Sequence, residues 1–156
     1  MIKVLFVCLG NICRSPAAEG IFKKMVKDLG QSENFIVDSA GTGGWHVGEL
    51  PDERMRNHSA KRGIVLDSRA RQFDGQNDFQ KFDYIIGMDD SNIDNILSFN
   101  VSKELESKVY KMTDFRQNLD FTKVPDPYYG GEDGFEEVLD ILDDSLRGFL
   151  KHIQNK

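Results

Sequence analysis

The sequence predicts an α/β domain, and three observations carry that prediction. Short β-branched and aromatic runs at residues 2–7, 35–39, 83–88 and 108–112 alternate with stretches of helical periodicity. The 156 residues, 39% of them hydrophobic, suffice to bury one good core. No proline-rich, serine-rich or repetitive stretch divides the chain, so one domain over residues 1–156 with no linker is expected.

Residues 2–7 form the first strand, and the helix after it is expected to begin at Pro16, because proline suits the first helical position. Ile21, Phe22, Met25, Val26 and Leu29 recur at helical spacing, and Gly30 marks the stop. Residues 35–39 read as the next strand and residues 51–61 as a helix ending near Gly63. Residues 83–88 read as a buried parallel strand, 91–99 as a helix and 108–112 as a short strand. Phe135, Val138, Leu139, Leu142, Leu146, Phe149, Leu150 and Ile153 form a long apolar stripe that closes the domain.

Composition narrows the function. A net charge of −6 argues against nucleic acid as the main partner, since a phosphate-backbone binder needs a concentrated basic surface. Arg54, Arg56, Lys61, Arg62, Arg69 and Arg71 make the middle of the chain basic and residues 126–144 are acidic; both read as ordinary solvated surface. No apolar run approaches a membrane span, and Met1 leads directly into the first strand, so a cytoplasmic location without membrane contact is expected. His46, His58 and His152 are separated and read as surface or satisfied core residues. No histidine, cysteine or carboxylate grouping has metal-ligand spacing, and neither metal nor other cofactor is expected.

The chemistry concentrates in Cys8-Leu9-Gly10-Asn11-Ile12-Cys13-Arg14-Ser15-Pro16, a loop between a strand and a helix. With Gly10 allowing a tight fold, the backbone N–H groups of Leu9, Gly10, Asn11, Ile12, Cys13 and Arg14 can form an anion-binding nest at the positive end of the helix. Helix N-termini and nearby cations lower thiol pKa values, so Cys8 is expected to be a thiolate, a nucleophile needing no separate base. Arg14 offers a planar fork that matches two phosphoryl oxygens. Ser15 can hydrogen-bond the sulfur, and Asn11 can hold the loop in shape, with left-handed backbone angles open to it.

The run from Val7 to Glu19 resembles the active-site loop of the low-molecular-weight protein tyrosine phosphatases. Further matches follow in family order: Asp38-Ser39-Ala40-Gly41-Thr42, Ala70-Arg71-Gln72, Phe82-Asp83-Tyr84-Ile85, Met88-Asp89 and Asp126-Pro127-Tyr128-Tyr129-Gly130. The resemblance therefore covers essentially the whole chain. It implies a four-stranded parallel sheet with helices on both faces, a flavodoxin-like or Rossmann-like three-layer sandwich, and hydrolysis of protein phosphotyrosine through a cysteinyl phosphate.

The resemblance also implies roles for individual residues. Asp126, bracketed by Pro125 and Pro127, would be the general acid and then the base. Cys13 would protect Cys8 by forming a reversible disulfide with it after oxidation. Ser39 and Asp89 would brace the loop. Trp45, in the glycine-rich stretch 41–48, with Tyr128 and Tyr129 would wall a slot deep enough to select phosphotyrosine. Phosphotyrosine proteins, with a tyrosine kinase among them by family analogy, are the expected partners of a monomer or weak dimer. Ser68 departs from the pattern: many relatives carry a histidine there that helps hold the loop asparagine, so the bracing is expected to be rewired.

Three other readings use the same loop. A thiol-dependent arsenate reductase needs further cysteines downstream, and none follows Cys13. A phosphoarginine phosphatase of the same fold tends to carry threonine where Ile12 stands. A non-catalytic phosphotyrosine-binding module would keep Arg14 but lose Cys8 or Asp126, and both are present.

Overall fold

Strand β1 (Ile2–Cys8) sends alternate side chains into two hydrophobic layers, as its run of β-branched and aromatic residues requires. Val4, Phe6 and Cys8 join one buried cluster, Leu5 and Val7 the other. The computed structural model describes residues 1–128 and 130–156. Around β1 stand α1 (Arg14–Asp28), β2 (Phe35–Gly41), α2 (Glu53–Ala60), α3 (Asp78–Lys81), β3 (Tyr84–Gly87), α4 (Asp90–Leu97), α5 (Lys103–Glu106), β4 (Val109–Lys111) and α6 (Glu132–Gln154).

The four strands pair in parallel in the order β2-β1-β3-β4. The expected four-stranded α/β sandwich is therefore what the chain forms. On one face of the sheet Phe22 and Val26 of α1 pack with Phe135, Leu142, Leu146 and Phe149 of α6. On the other, Phe79 of α3 and Ile96 of α4 cover Leu5, Val7 and Ile85. Phe6 and Phe22 are fully buried and meet edge to face at 6.0 Å; truncating either to alanine would cost about 3–5 kcal/mol.

Because β2 and β3 flank β1, the connections leaving β1 and β2 diverge beyond their carboxyl ends. That is the switch point where open parallel sheets bind ligands. Cys8 is the last residue of β1, in register with Gly41 of β2. A side chain at Gly41 would put its Cβ 2.8 Å from the Leu9 carbonyl oxygen, so the strand end and the loop after Cys8 can touch only through glycine.

Several boundaries differ from the sequence reading. Helix α1 begins at Arg14, two residues before Pro16, since any of the first four helical N–H groups can be absent without loss of an intrahelical bond. Helix α2 begins at Glu53 behind Asp52, whose carboxylate accepts the N–H groups of Arg54 and Met55. The four-residue helices α3 and α5 are too short to show periodicity in sequence.

The basic and acidic segments are not simply solvated surface; they meet one another. Arg62 donates to Glu136 and Asp140, and both ring nitrogens of His58 face carboxylates, those of Glu136 and Glu132. Arg71 is shared between Asp38 and Asp78. The carboxylates of Glu132, Glu136 and Asp140 are exposed, where ion pairs add little stability, so the His58 and Arg62 contacts chiefly set how α2 and the turn after it lie against the N-terminal half of α6.

Candidate active site

The loop between β1 and α1 turns on Asn11, whose φ of 58° is left-handed; Gly10 is not in that region. Gly10 lies close against His46 instead: a Cβ there would stand 3.1 Å from the ring, which would have to give by a few tenths of an ångström. Helix α1 has no side-chain cap and no acidic residue in its first turn. Its positive end and free N–H groups are thus left for an anion.

Around Cys8 the polar groups form one relay. The Asn11 N–H donates to Cys8 Sγ at 3.3 Å, and Ser15 Oγ lies 3.0 Å from the same sulfur. Asn11 Nδ2 donates to Ser15 Oγ at 2.8 Å and to Ser39 Oγ at 2.9 Å. The Arg71 N–H donates to Asn11 Oδ1 at 3.0 Å. Ser15 Oγ accepts from Asn11, and its single proton lies within reach of the sulfur at 3.0 Å and of the Ala40 carbonyl at 3.4 Å. Ser39 in turn donates to Glu19 at 2.6 Å, and Lys23 pairs with Glu19. Ser68 is not among the hydrogen-bond partners of Asn11; the asparagine is held through Ser39, Ser15 and the Arg71 backbone.

Arg14 is 2% exposed and its fork is aimed by acceptors from distant segments. Its Nη1 donates to Asp89 at 2.6 Å and to the Val124 carbonyl at 3.1 Å; Nη2 lies 3.6 Å from Asp126 Oδ2. Burial opposes its charge, but Cys8, the Asp89 hydrogen bond and the Asp126 charge more than offset this, so its pKa lies above the ordinary arginine value. Asp89 also caps α4 through the Asn92 N–H, which fixes the carboxylate that fixes Arg14. Burial pushes the Cys13 thiol pKa up, with Asp52, Cys8 and Asp126 adding to the shift, so Cys13 is a neutral thiol. Both cysteines are free and buried.

These groups line a cavity of about 440 Å³, within the range of small-molecule sites. Cys8, Cys13 and Arg14 make its buried end; Leu9, Gly10, Ile12, Trp45, His46, Asp126 and Tyr128 complete it. Trp45, 72% exposed, stands at the open end. Tyr129, the other expected wall, lies outside the described residues.

His46 was not among the expected site residues. It lines the cavity, with Nδ1 2.8 Å from a Glu49 carboxylate oxygen and its ring 6.2 Å from that of Tyr128. Its adjacency to Trp45 in the glycine-rich loop was the available signal. Among the described residues no group of three or more histidine, cysteine or carboxylate side chains could hold a metal ion, and no helix is long and apolar enough to cross a membrane.

A sequence model of the family described as low molecular weight phosphotyrosine protein phosphatase matches residues 3–156. The chain belongs to that family. It is 40% identical over 156 residues to the low molecular weight protein-tyrosine-phosphatase YfkJ of Bacillus subtilis, covering 100% of this chain and 98% of the relative. A protein tyrosine phosphatase from Entamoeba histolytica superposes with a TM-score of 0.95 at 44% identity, covering 99% of this chain and 98% of that one. A drosophila arginine phosphatase superposes with a TM-score of 0.90 at 32% identity, covering 97% and 98%. The chain is accordingly a protein-tyrosine-phosphatase, a hydrolase whose substrates are phosphoproteins.

Proposed function

We propose that the chain hydrolyses phosphotyrosine with Cys8 as nucleophile, Arg14 as phosphate clamp and Asp126 as acid and base. The convergence of these three residues, from positions 8, 14 and 126, on one cavity carries the reading. The thiolate sulfur attacks phosphorus, the bond to the phenolic oxygen breaks, and the Asp126 proton goes to that oxygen. Water then attacks the cysteinyl phosphate and gives a proton to Asp126; the sulfur–phosphorus bond breaks, releasing phosphate and the thiolate. The N–H groups of residues 9–15 and the Arg14 fork hold the phosphoryl oxygens through both steps, and Ser15 stabilises the departing sulfur.

The walls support an aryl substrate. Ile12, Trp45 and Tyr128 border the cavity, and apolar Ile12 favours a phenyl ring over phosphoarginine. Asn11, Ser39 and Asp89 serve as supports for the loop and for Arg14. A tyrosine kinase is a fitting partner and the cytoplasm a fitting location.

Hydrolysis of p-nitrophenyl phosphate with chelator present tests the roles. The wild type should turn over, Cys8→Ser should lose at least about 10⁴-fold, and Asp126→Asn roughly 10²- to 10³-fold. A wild type without turnover would sink the reading.

Cys13 is placed in this proposal as the resolving thiol. Peroxide converts the Cys8 thiolate to a sulfenic acid, which condenses with the Cys13 thiol to a disulfide with loss of water. A thiol reductant then restores both. Cys13→Ser should reduce recovery of activity after peroxide; unchanged recovery removes Cys13 from the role.

A further inference from the structure

Among the described residues between the 3₁₀ turn Met112–Phe115 and α6, the segment carrying Asp126 forms no helix or strand, and the Asp126 side chain is 37% exposed. A proton donor must nevertheless stand within hydrogen-bond reach of the leaving oxygen in each turnover. Arg14 lies 3.6 Å from Asp126, but its fork is committed to the phosphate during reaction, so a second holder that never touches substrate is required.

Arg54, in the first turn of α2, has that geometry. Its Nη2 donates to the Tyr128 carbonyl at 3.0 Å, and the N–H of that same Tyr128 donates to Asp126 Oδ1 at 3.0 Å. Asp52 aims the guanidinium by accepting from Nε at 3.2 Å and from Nη2 at 3.1 Å. The guanidinium carbon also lies 4.8 Å from the centroid of the Phe135 ring of α6 and 5.7 Å from that of Tyr128. The helix start to which this fork is bound is itself tied to the phosphate loop, because the Asp52 N–H donates to the Ile12 carbonyl at 2.8 Å. One chain of hydrogen bonds therefore links the loop after β1 to the turn that carries Asp126.

We propose that Arg54 is a positioning residue for the general acid, holding the turn that presents Asp126 over Cys8 and referring it to the phosphate loop through Asp52. The inference rests on the reading of Asp126 as the acid, and the test separates the two. Lysine at position 54 would keep the charge but lack the fork that reaches Asp52 and the Tyr128 carbonyl together.

The experiment is kcat/KM for phenyl phosphate and p-nitrophenyl phosphate with wild type, Arg54→Gln, Arg54→Lys and Asp126→Asn, together with the rate of Cys8 alkylation. Phenol holds its proton about as tightly as tyrosine does, with a pKa near 10, and its departure depends on the acid far more than that of the acidic nitrophenol. Both Arg54 variants should lose roughly ten-fold more activity toward phenyl phosphate than toward p-nitrophenyl phosphate, with Cys8 alkylation unchanged. Asp126→Asn should show the same grading, larger.

A purely structural role for Arg54 would lower both esters alike or slow Cys8 alkylation, and either outcome overturns the proposal while Asp126→Asn remains graded. Loss of grading in Asp126→Asn itself would take down the acid assignment and this inference with it. Should Arg54→Gln fold poorly, Arg54→Lys carries the test alone, and an ungraded loss there overturns the proposal equally.

Discussion

The loop from Cys8 to Ser15 and the residues Asp126 and Tyr128 face each other across one cavity and are held in opposite ways. Asn11, Arg14 and Ser15 are at most 3% exposed, and the Asn11 amide alone makes three hydrogen bonds, two of them to side chains that are themselves bonded. Across the cavity, the Asp126 side chain is 37% exposed and Tyr128 36%, with backbone ties such as Val124 N–H to Met88 carbonyl and Gly130 N–H to Pro127 carbonyl. The difference follows from the two tasks. A group that stabilises charge must be in place before the reaction, whereas the side of the proposed acid must let a phosphotyrosine in and a phosphate out.

The two modes of holding the site respond differently to substitution. The largest effect should come from Arg14→Lys, which keeps the buried charge but cannot present two parallel donors; kcat/KM for p-nitrophenyl phosphate should fall roughly 10³-fold. A fall of less than ten-fold would mean that the backbone nest alone carries the phosphate. Next comes Asn11→Ala, which strands Ser15 and Ser39 and forces a β-carbon-bearing residue without a local hydrogen bond to keep φ near 58°. It should lose roughly 10²-fold in kcat by displacing the nucleophile, with weaker inhibition by inorganic phosphate.

The smallest kinetic effect should come from Asp144→Asn, which acts on the start of the segment that leads to Asp126. Asp144 of α6 accepts the N–H groups of Gln117, Asn118 and Leu119, the start of the irregular segment. Burial raises its pKa, and these three hydrogen bonds more than offset that, so the folded-state pKa lies below the ordinary carboxylate value. A group lowered in the folded state stabilises above its unfolded pKa, and that contribution disappears as pH falls through the folded pKa. Asp144→Asn should therefore cost about 2 kcal/mol in denaturant unfolding at pH 7 and progressively less in acid, with turnover near wild type. A cost that does not change with pH would show that the carboxylate charge is not what binds the segment.

Legibility in sequence tracked locality. Cys8, Asn11, Arg14 and Ser15 lie within eight residues, and a strand end, a left-handed asparagine and a helix start are local events that neighbouring residues specify. The strands and long helices were legible because periodicity reports which face is buried. The helix boundary at Arg14 was missed because proline's missing N–H is tolerated anywhere in the first turn. Arg54 and Arg62 read as solvated charge because their partners, Tyr128, Glu136 and Asp140, lie more than seventy residues away. The place of His46 in the site was missed for a related reason: a lone residue in a loop acquires meaning only when Gly10 and Tyr128 are brought against it.

The sequence by itself determined the alternation of elements, the position of the thiol at a strand end before a helix, and the spacing of Cys8 and Arg14, all of which depend on bonds and contacts within a few residues. Tertiary structure alone decided that Asp89, Val124 and Asp126 surround the Arg14 fork, that Ser39 and Glu19 stand behind Asn11, and that the start of α2 joins the loop after β1 to the turn at Asp126 and Tyr128. Those contacts span up to 112 residues of chain, from Arg14 to Asp126, and only burial of one continuous sheet between two helical layers brings such distant groups together.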